Sequence, residues 1–122
     1  PNRSHFFYGY DGLRDIPVFN GGNSIILVEG IFDQIHITYM NQNCLAVMGS
    51  SISDIQIGKL MALRPSKVIL MLDGDAAGRK ATETIARKLD QRMNPMAIQK
   101  VWLPEGKDPD DLTLEEYEEA TH

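Results

Sequence analysis

From Ser24 onward, short runs of Ile, Val and Leu alternate with stretches whose apolar residues recur at helical spacing, the pattern of βα units repeated around a parallel sheet. Residues 24–28 form the first predicted strand and 32–40 the first helix, with Phe32, Ile35, Ile37 and Met40 roughly suiting its inward face. Residues 44–47 are the second strand. Ser53, with Gln56 three residues on, makes a capping box that opens the next helix; Ile55, Ile57, Leu60 and Leu63 supply its apolar faces and Pro65 stops it. Residues 67–72 are the third and most hydrophobic strand. Residues 76–92 follow as a long helix with Ala81, Ile85 and Leu89 at four-residue spacing, Pro95 just beyond its end, and residues 97–103 are the fourth strand. Strands this apolar are expected to be buried on both faces. Residues 104–109 are too rich in Pro and Gly for anything but a loop, and Thr113 with Glu116 is a second capping box, opening a short acidic helix. The expectation is an α/β fold, a central and mainly parallel sheet of about four strands flanked by helices.

The first 23 residues carry Phe6, Phe7, Tyr8 and Tyr10 ahead of Asp11-Gly12 and Gly21-Gly22 turns, and read as a packed arm or strand plus a linker. Starting from Pro1, they look like the tail of a larger protein's preceding subdomain. With 122 residues, 43% hydrophobic and 24% charged, the chain is about one domain long. The divisions expected are an arm over 1–23, a main domain over 24–112 and a terminal acidic helix over 113–122. No apolar run approaches the roughly 20 residues that cross a bilayer, and no signal-peptide pattern opens the chain, so a soluble cytoplasmic protein with no membrane partner is expected. Cys44 is alone, which excludes an internal disulfide and a zinc ribbon; within Cys44-Leu45-Ala46-Val47 it reads as an inert core thiol. A net charge of −5 argues against a broad nucleic-acid footprint, so any grip on nucleic acid would come mostly from other parts.

The candidate chemistry lies at the ends of strands, where open α/β sheets bind their ligands. Glu29-Gly30 follows the first strand, Asp73-Gly74-Asp75 the third, and Lys107-Asp108-Pro109-Asp110 the fourth. Residues two apart in extended chain project to one side, so Asp73 and Asp75 would aim into one volume, with Glu29 joining from a neighbouring strand. Three hard oxygen donors gathered this way suit Mg²⁺, and Gly30 and Gly74 would leave room beside the backbone for metal, water and phosphate. Each acid alone has a plainer role: Asp75 as an N-cap of the helix beginning at Ala76, Asp33 as a first-turn acid favoured by the helix dipole, Asp108 and Asp110 as a solvated turn. A response-regulator-like pocket also gathers carboxylates at strand ends, so acidity by itself does not decide function.

The segments Leu27-Val28-Glu29-Gly30-Ile31-Phe32-Asp33, Met71 to Ala81 containing Asp73-Gly74-Asp75 and Ala77-Gly78-Arg79-Lys80, and Leu103 to Asp110 containing Gly106-Lys107-Asp108-Pro109-Asp110 closely resemble, in family order, the Toprim domain of DnaG-type DNA primases. Val47-Met48-Gly49-Ser50-Ser51 resembles the family's loop after the second strand, and Phe7-Tyr8-Gly9 its upstream Tyr-Gly element. The likeness spans roughly residues 24–112, and Ala77-Gly78-Arg79-Lys80-Ala81 and Gly106-Lys107-Asp108-Pro109-Asp110 favour primases over other Toprim branches. It implies a Rossmann-like Toprim fold and Mg²⁺-dependent nucleotidyl transfer, Mn²⁺ substituting. The implied partners are a single-stranded DNA template, ribonucleoside triphosphates, an RNA–DNA hybrid and, through parts outside this chain, the replicative helicase.

On this resemblance Glu29, Asp33, Asp73, Asp75, Asp108 and Asp110 line the centre. Asp73 and Asp75 are the principal metal ligands, Asp108 and Asp110 a further metal pair, and Glu29 a ligand or general base. Arg79, Lys80 and Lys107 are within reach of phosphate, though surface solvation is the commoner fate of such side chains. His36 reads as packing or surface, Trp102 as a buried anchor, and the run from Glu115 to Glu119 as a solvated face. A Toprim nuclease or topoisomerase-like enzyme is a second expectation, and a noncatalytic acidic binding module a third.

Overall fold

Four parallel strands, β1 (Ser24–Val28), β2 (Cys44–Ala46), β3 (Lys67–Leu70) and β4 (Ala97–Lys100), lie in the order β2-β1-β3-β4. The computed structural model describes residues 9–10, 24–40, 43–92 and 97–121, so the expected arm and linker, apart from Gly9 and Tyr10, lie outside the described residues, as does Pro95. Helices α1 (Ile31–Tyr39), α2 (Asp54–Ala62) and α3 (Ala76–Arg92) follow the first three strands. After β4 come a 3-10 turn at Pro109–Asp111 and helix α4 (Leu114–Thr121). Among the described residues no helix is long and apolar enough to cross a membrane.

The period of two in each strand divides the core into two layers. Ile25, Leu27, Val68 and Leu70 pack with Ile57 and Leu60 of α2 and with Ala81, Ile85 and Leu89 of α3. Ile26, Val28, Ile69 and Met71 face the other way, toward Ile37 of α1, Tyr117 of α4 and Leu112 just after the 3-10 turn. Burying each such aliphatic side chain contributes about 1.5–3 kcal/mol, and this two-sided burial is why β1 and β3 read as unbroken apolar runs. Tyr10 packs at the edge of the first layer, with the Lys59 ammonium 5.4 Å from its ring centroid. Cys44 is buried, and burial pushes its thiol well above the ordinary range.

Several expectations are corrected by how the chain balances polar and apolar contacts. In α1 it is Asp33, Gln34 and Ile37 that turn inward, while Phe32 and Ile35 are 76% and 48% exposed. Gln34 goes inside because its Nε2 donates to the Cys44 carbonyl at 3.1 Å and to Thr38 Oγ1 at 3.0 Å. In α2 the capping box forms as expected, with Ser53 Oγ accepting from Gln56 N–H at 3.1 Å and Gln56 Oε1 from Ser53 N–H at 2.9 Å. Gln56 also donates Nε2 to the Val47 carbonyl at 2.8 Å, so it is buried and Ile55 is exposed. β4 is not buried on both faces, and Trp102, between inward Val101 and Leu103, is 51% exposed rather than an anchor. The ladders of β2, β3 and β4 stop short of the predicted ends, yet Val47, Met71 and Val101 each still donate to the neighbouring strand.

Leu70, fully buried in a central strand, tests this layering. Leu70→Ala is expected to lose about 2–5 kcal/mol in urea unfolding, whereas Phe32→Ala stays within about 0.5 kcal/mol of wild type.

Candidate metal centre

β1 leads outward to β2 and β3 leads the opposite way to β4, so the winding reverses between the two central strands. Such a reversal opens a crevice beyond their carboxyl ends. Leu27 and Leu70 are register partners; Glu29 lies two residues past the first and Asp73 three past the second, so both emerge at that rim. The Met48 N–H donates to the Glu29 carbonyl at 2.9 Å from a backbone at φ 64°, a left-handed conformation rarely adopted by a side-chain-bearing residue.

Two glycines bring the remaining acids to the same place. Gly74 N–H donates to the Lys107 carbonyl at 2.6 Å, and Gly106 N–H donates back to the Gly74 carbonyl at 2.8 Å. A side chain at Gly74 would overlap the Pro104 carbonyl, so the space expected to be open beside this residue is filled by the 104–107 turn. Gly78 likewise lets α3 start directly on the Asp73 backbone, whose carbonyl a Cβ there would overlap. The Asp73 turn and the Asp108 turn are therefore stitched together through main chain.

One carboxylate oxygen from each of Asp33, Asp73 and Asp108 lies within 4.8 Å of the others. Asp33 is 9% exposed, and its Oδ1 accepts the Asp110 N–H at 3.0 Å. Among the described residues, Asp73 Oδ1 and Asp108 Oδ1 are both buried without a hydrogen-bond partner. Buried carboxylate oxygens left without donors, as on Asp73 and Asp108, are costly, and with Asp33 these acids from separate elements form a hard oxygen donor set. That set fits a divalent cation.

The electrostatics agree with the geometry. Burial, then the charge of Asp73, pushes Asp33 up to about 6, against the lowering effect of the Asp110 N–H, with Asp108 and Asp110 raising it further. Burial raises Glu29, with the charges of Asp73 and Asp75 adding. Burial raises Asp73, then Asp75 and Asp111. Burial raises Asp108, followed by its hydrogen bond to Asp111 and the charges of Asp111, Asp73 and Asp110.

Not every expected residue joins the trio. Asp75 Oδ1 accepts the Gly78 N–H at 2.7 Å and so caps α3, while its charge still reaches Asp73 and Glu29. The chain bends after Asp73, so the alternation that would aim Asp73 and Asp75 together does not persist. Asp110 is exposed and meets Asp33 through its backbone. Arg79 pairs with Glu105 at 2.7 Å, Lys107 with Glu116 at 2.5 Å, and Lys80 is exposed. Glu116 was expected as a capping residue, and Oε1 does accept the Thr113 N–H at 3.0 Å; the ion pair with Lys107 uses its other oxygen and lowers its pKa. Sequence patterns carried no sign of the Arg79–Glu105 pair or of the Asp111 contact.

A carboxyl whose pKa is higher in the folded than in the unfolded chain binds its proton more tightly when folded. The fold therefore gains stability as pH falls through about 6 toward the ordinary 3.8 of Asp33. In chelator, the melting temperature is expected to rise by a few degrees between pH 7.5 and 5.5, and Asp33→Asn to give much of that rise already at pH 7.5. Added divalent cation is expected to flatten the profile by stabilising the pH 7.5 sample most, read by thermal unfolding with and without chelator. Gly78→Ala is expected to cost about 1–3 kcal/mol by denaturant unfolding, because the added methyl meets main chain that cannot move aside.

A family model described as Toprim-like matches residues 26–113. The DNA primase of Pseudomonas aeruginosa is 35% identical over 100 residues, which is 80% of this chain and 15% of that protein. A solved DnaG catalytic core superposes with a TM-score of 0.79 at 25% identity, over 99% of this chain and 40% of that one. A DnaG primase catalytic domain bound to ssDNA gives 0.76 at 27% identity, over 99% of this chain and 38% of that one. The chain thus spans about 15% of the length of the curated relatives it matches. With its four-stranded parallel sheet and acidic rim, the chain belongs to the Toprim-like family and matches the Toprim domain of DnaG-type primase catalytic cores.

Proposed function

We propose that this chain is the Mg²⁺-dependent catalytic domain of a cytoplasmic DNA primase, joining ribonucleotides into primers on a single-stranded DNA template. The observation that carries this function is the pair of buried oxygens on Asp73 and Asp108 that have no partner among the described residues, beside Asp33. Mg²⁺, for which Mn²⁺ would substitute, supplies positive charge that acidifies an attacking 3′-hydroxyl and neutralises phosphate oxygens.

Asp33, Asp73 and Asp108 hold the ion, with Asp75 and Asp110 adding negative charge around it. Glu29 either completes the ligand set or takes the proton of the attacking hydroxyl, a role that its raised pKa strengthens. Arg79, Lys80 and Lys107 receive the triphosphate. Arg79 and Lys107 are already engaged by Glu105 and Glu116, so substrate phosphates compete with carboxylates for them. A net charge of −5 leaves most of the hold on template and RNA–DNA hybrid to other parts of the protein, as well as contact with the replicative helicase. The DnaG domain bound to ssDNA, similar along nearly this whole chain, supports the template assignment.

A template-directed priming assay with single-stranded DNA, ribonucleoside triphosphates and Mg²⁺, run on the protein that carries this chain, tests the function. Glu29→Gln is expected to slow synthesis by about 10²–10⁴-fold, and Asp73→Asn and Asp108→Asn to abolish it, all three remaining folded. Undiminished synthesis by Asp73→Asn would overturn the assignment. Mg²⁺-dependent cleavage of DNA without primer synthesis would place the chain in a nuclease branch.

A further inference from the structure

Helix α1 sends a second polar side chain to the segment that carries Asp108. His36 Nε2 lies 2.6 Å from the backbone carbonyl oxygen of Leu112, 76 residues away in sequence. A carbonyl oxygen only accepts hydrogen bonds, so this contact places a proton on Nε2. One helical turn earlier, Asp33 accepts the Asp110 N–H at 3.0 Å. The helix therefore holds the 3-10 turn by an acceptor at its middle and a donor just past its end.

The segment needs holding because its charges oppose its position. Asp108, Asp110 and Asp111 are brought against Asp33 and Asp73, and this crowding contributes to the raised pKa values of Asp33, Asp73 and Asp108. The upstream end is fixed by the exchange of bonds among Gly74, Gly106 and Lys107. Leu112 is buried at the downstream end, but burial of its side chain does not fix the direction of its carbonyl. His36 does so without adding another negative charge.

We infer that His36 is a positioning residue of the metal centre: by donating to the Leu112 carbonyl it keeps the Asp108–Asp111 segment against Asp73 and thereby sets the affinity for the cation. The inference rests on the metal centre proposed above for its last step, and on the hydrogen-bond geometry alone for the first. His36 is a residue that motif comparison gives no reason to select, since it lies outside the Glu29 to Asp33 motif.

The test compares wild type, His36→Leu and His36→Gln in two measurements. Amide hydrogen exchange without metal follows the Asp110 N–H, with the Met71 N–H, which donates to Leu27 inside the sheet, as the reference for global stability. Calorimetric titration with Mn²⁺ follows affinity. In His36→Leu, Asp110 exchange is expected to accelerate about tenfold while Met71 is unchanged, and Mn²⁺ affinity to fall about tenfold. His36→Gln, which keeps a donor at similar reach, is expected to restore most of both. Unchanged Asp110 exchange in His36→Leu, equal acceleration at Met71, or a Gln variant no better than Leu would each overturn the positioning role. If wild type takes up no Mn²⁺, the metal centre itself fails, and Asp110 exchange alone decides whether His36 holds the segment.

Discussion

Repulsion among carboxylates at one rim of the sheet is the constraint around which the rest of this structure is arranged. Asp33, Asp73 and Asp108 come from a helix, a strand end and a turn, and nothing in their mutual charge favours the meeting. Main-chain hydrogen bonds and close backbone packing at Gly74 and Gly78 impose it. The energy for holding the acids together comes from the two apolar layers beneath them, which fix β1 and β3 side by side. Stability made in the core is thereby spent on a locally unfavourable rim, as expected where a bound cation is to recover it.

Much of the fold was legible because β1 and β3 are buried on both faces and announce themselves as apolar runs, and because Ser53–Gln56 and Thr113–Glu116 are capping boxes that form as read. The inward faces of the shorter helices were not legible. Gln34 and Gln56 occupy core positions since each satisfies a strand-end carbonyl, a need that exists only once the sheet has formed. Trp102 lies two residues past β4 and faces outward between Val101 and Leu103, which take the inward positions, an arrangement that local composition does not show.

For the site, the family resemblance already gathered the acidic motifs at one centre, Asp33, Asp73 and Asp108 among them, but which of these acids meet most closely was not legible. Alternation along an extended chain suggests Asp73 with Asp75, but the bend at Gly74 gives Asp75 to the helix as its cap. Asp108 lies beside Asp73 instead, 35 positions further along the chain, brought there by bonds between glycine amides and carbonyls that leave no side-chain trace. The basic residues show the same limit: Arg79 and Lys107 have acidic companions that only the folded geometry pairs with them. Exposed pairs of this kind are weak, so neither cation is firmly committed to its carboxylate.

The bonds between Gly74 and the 104–107 turn carry a consequence for insertion and deletion. Because this clasp is made of backbone, it tolerates exchange of many side chains around it but fixes the number of residues from Gly106 to Asp108. One additional residue between Lys107 and Asp108 would lie outside the clasp and displace the Asp108 carboxylate from Asp73. Loop length at this point therefore acts as a ruler for the spacing of charges, although elsewhere on the surface an extra residue is absorbed at small cost.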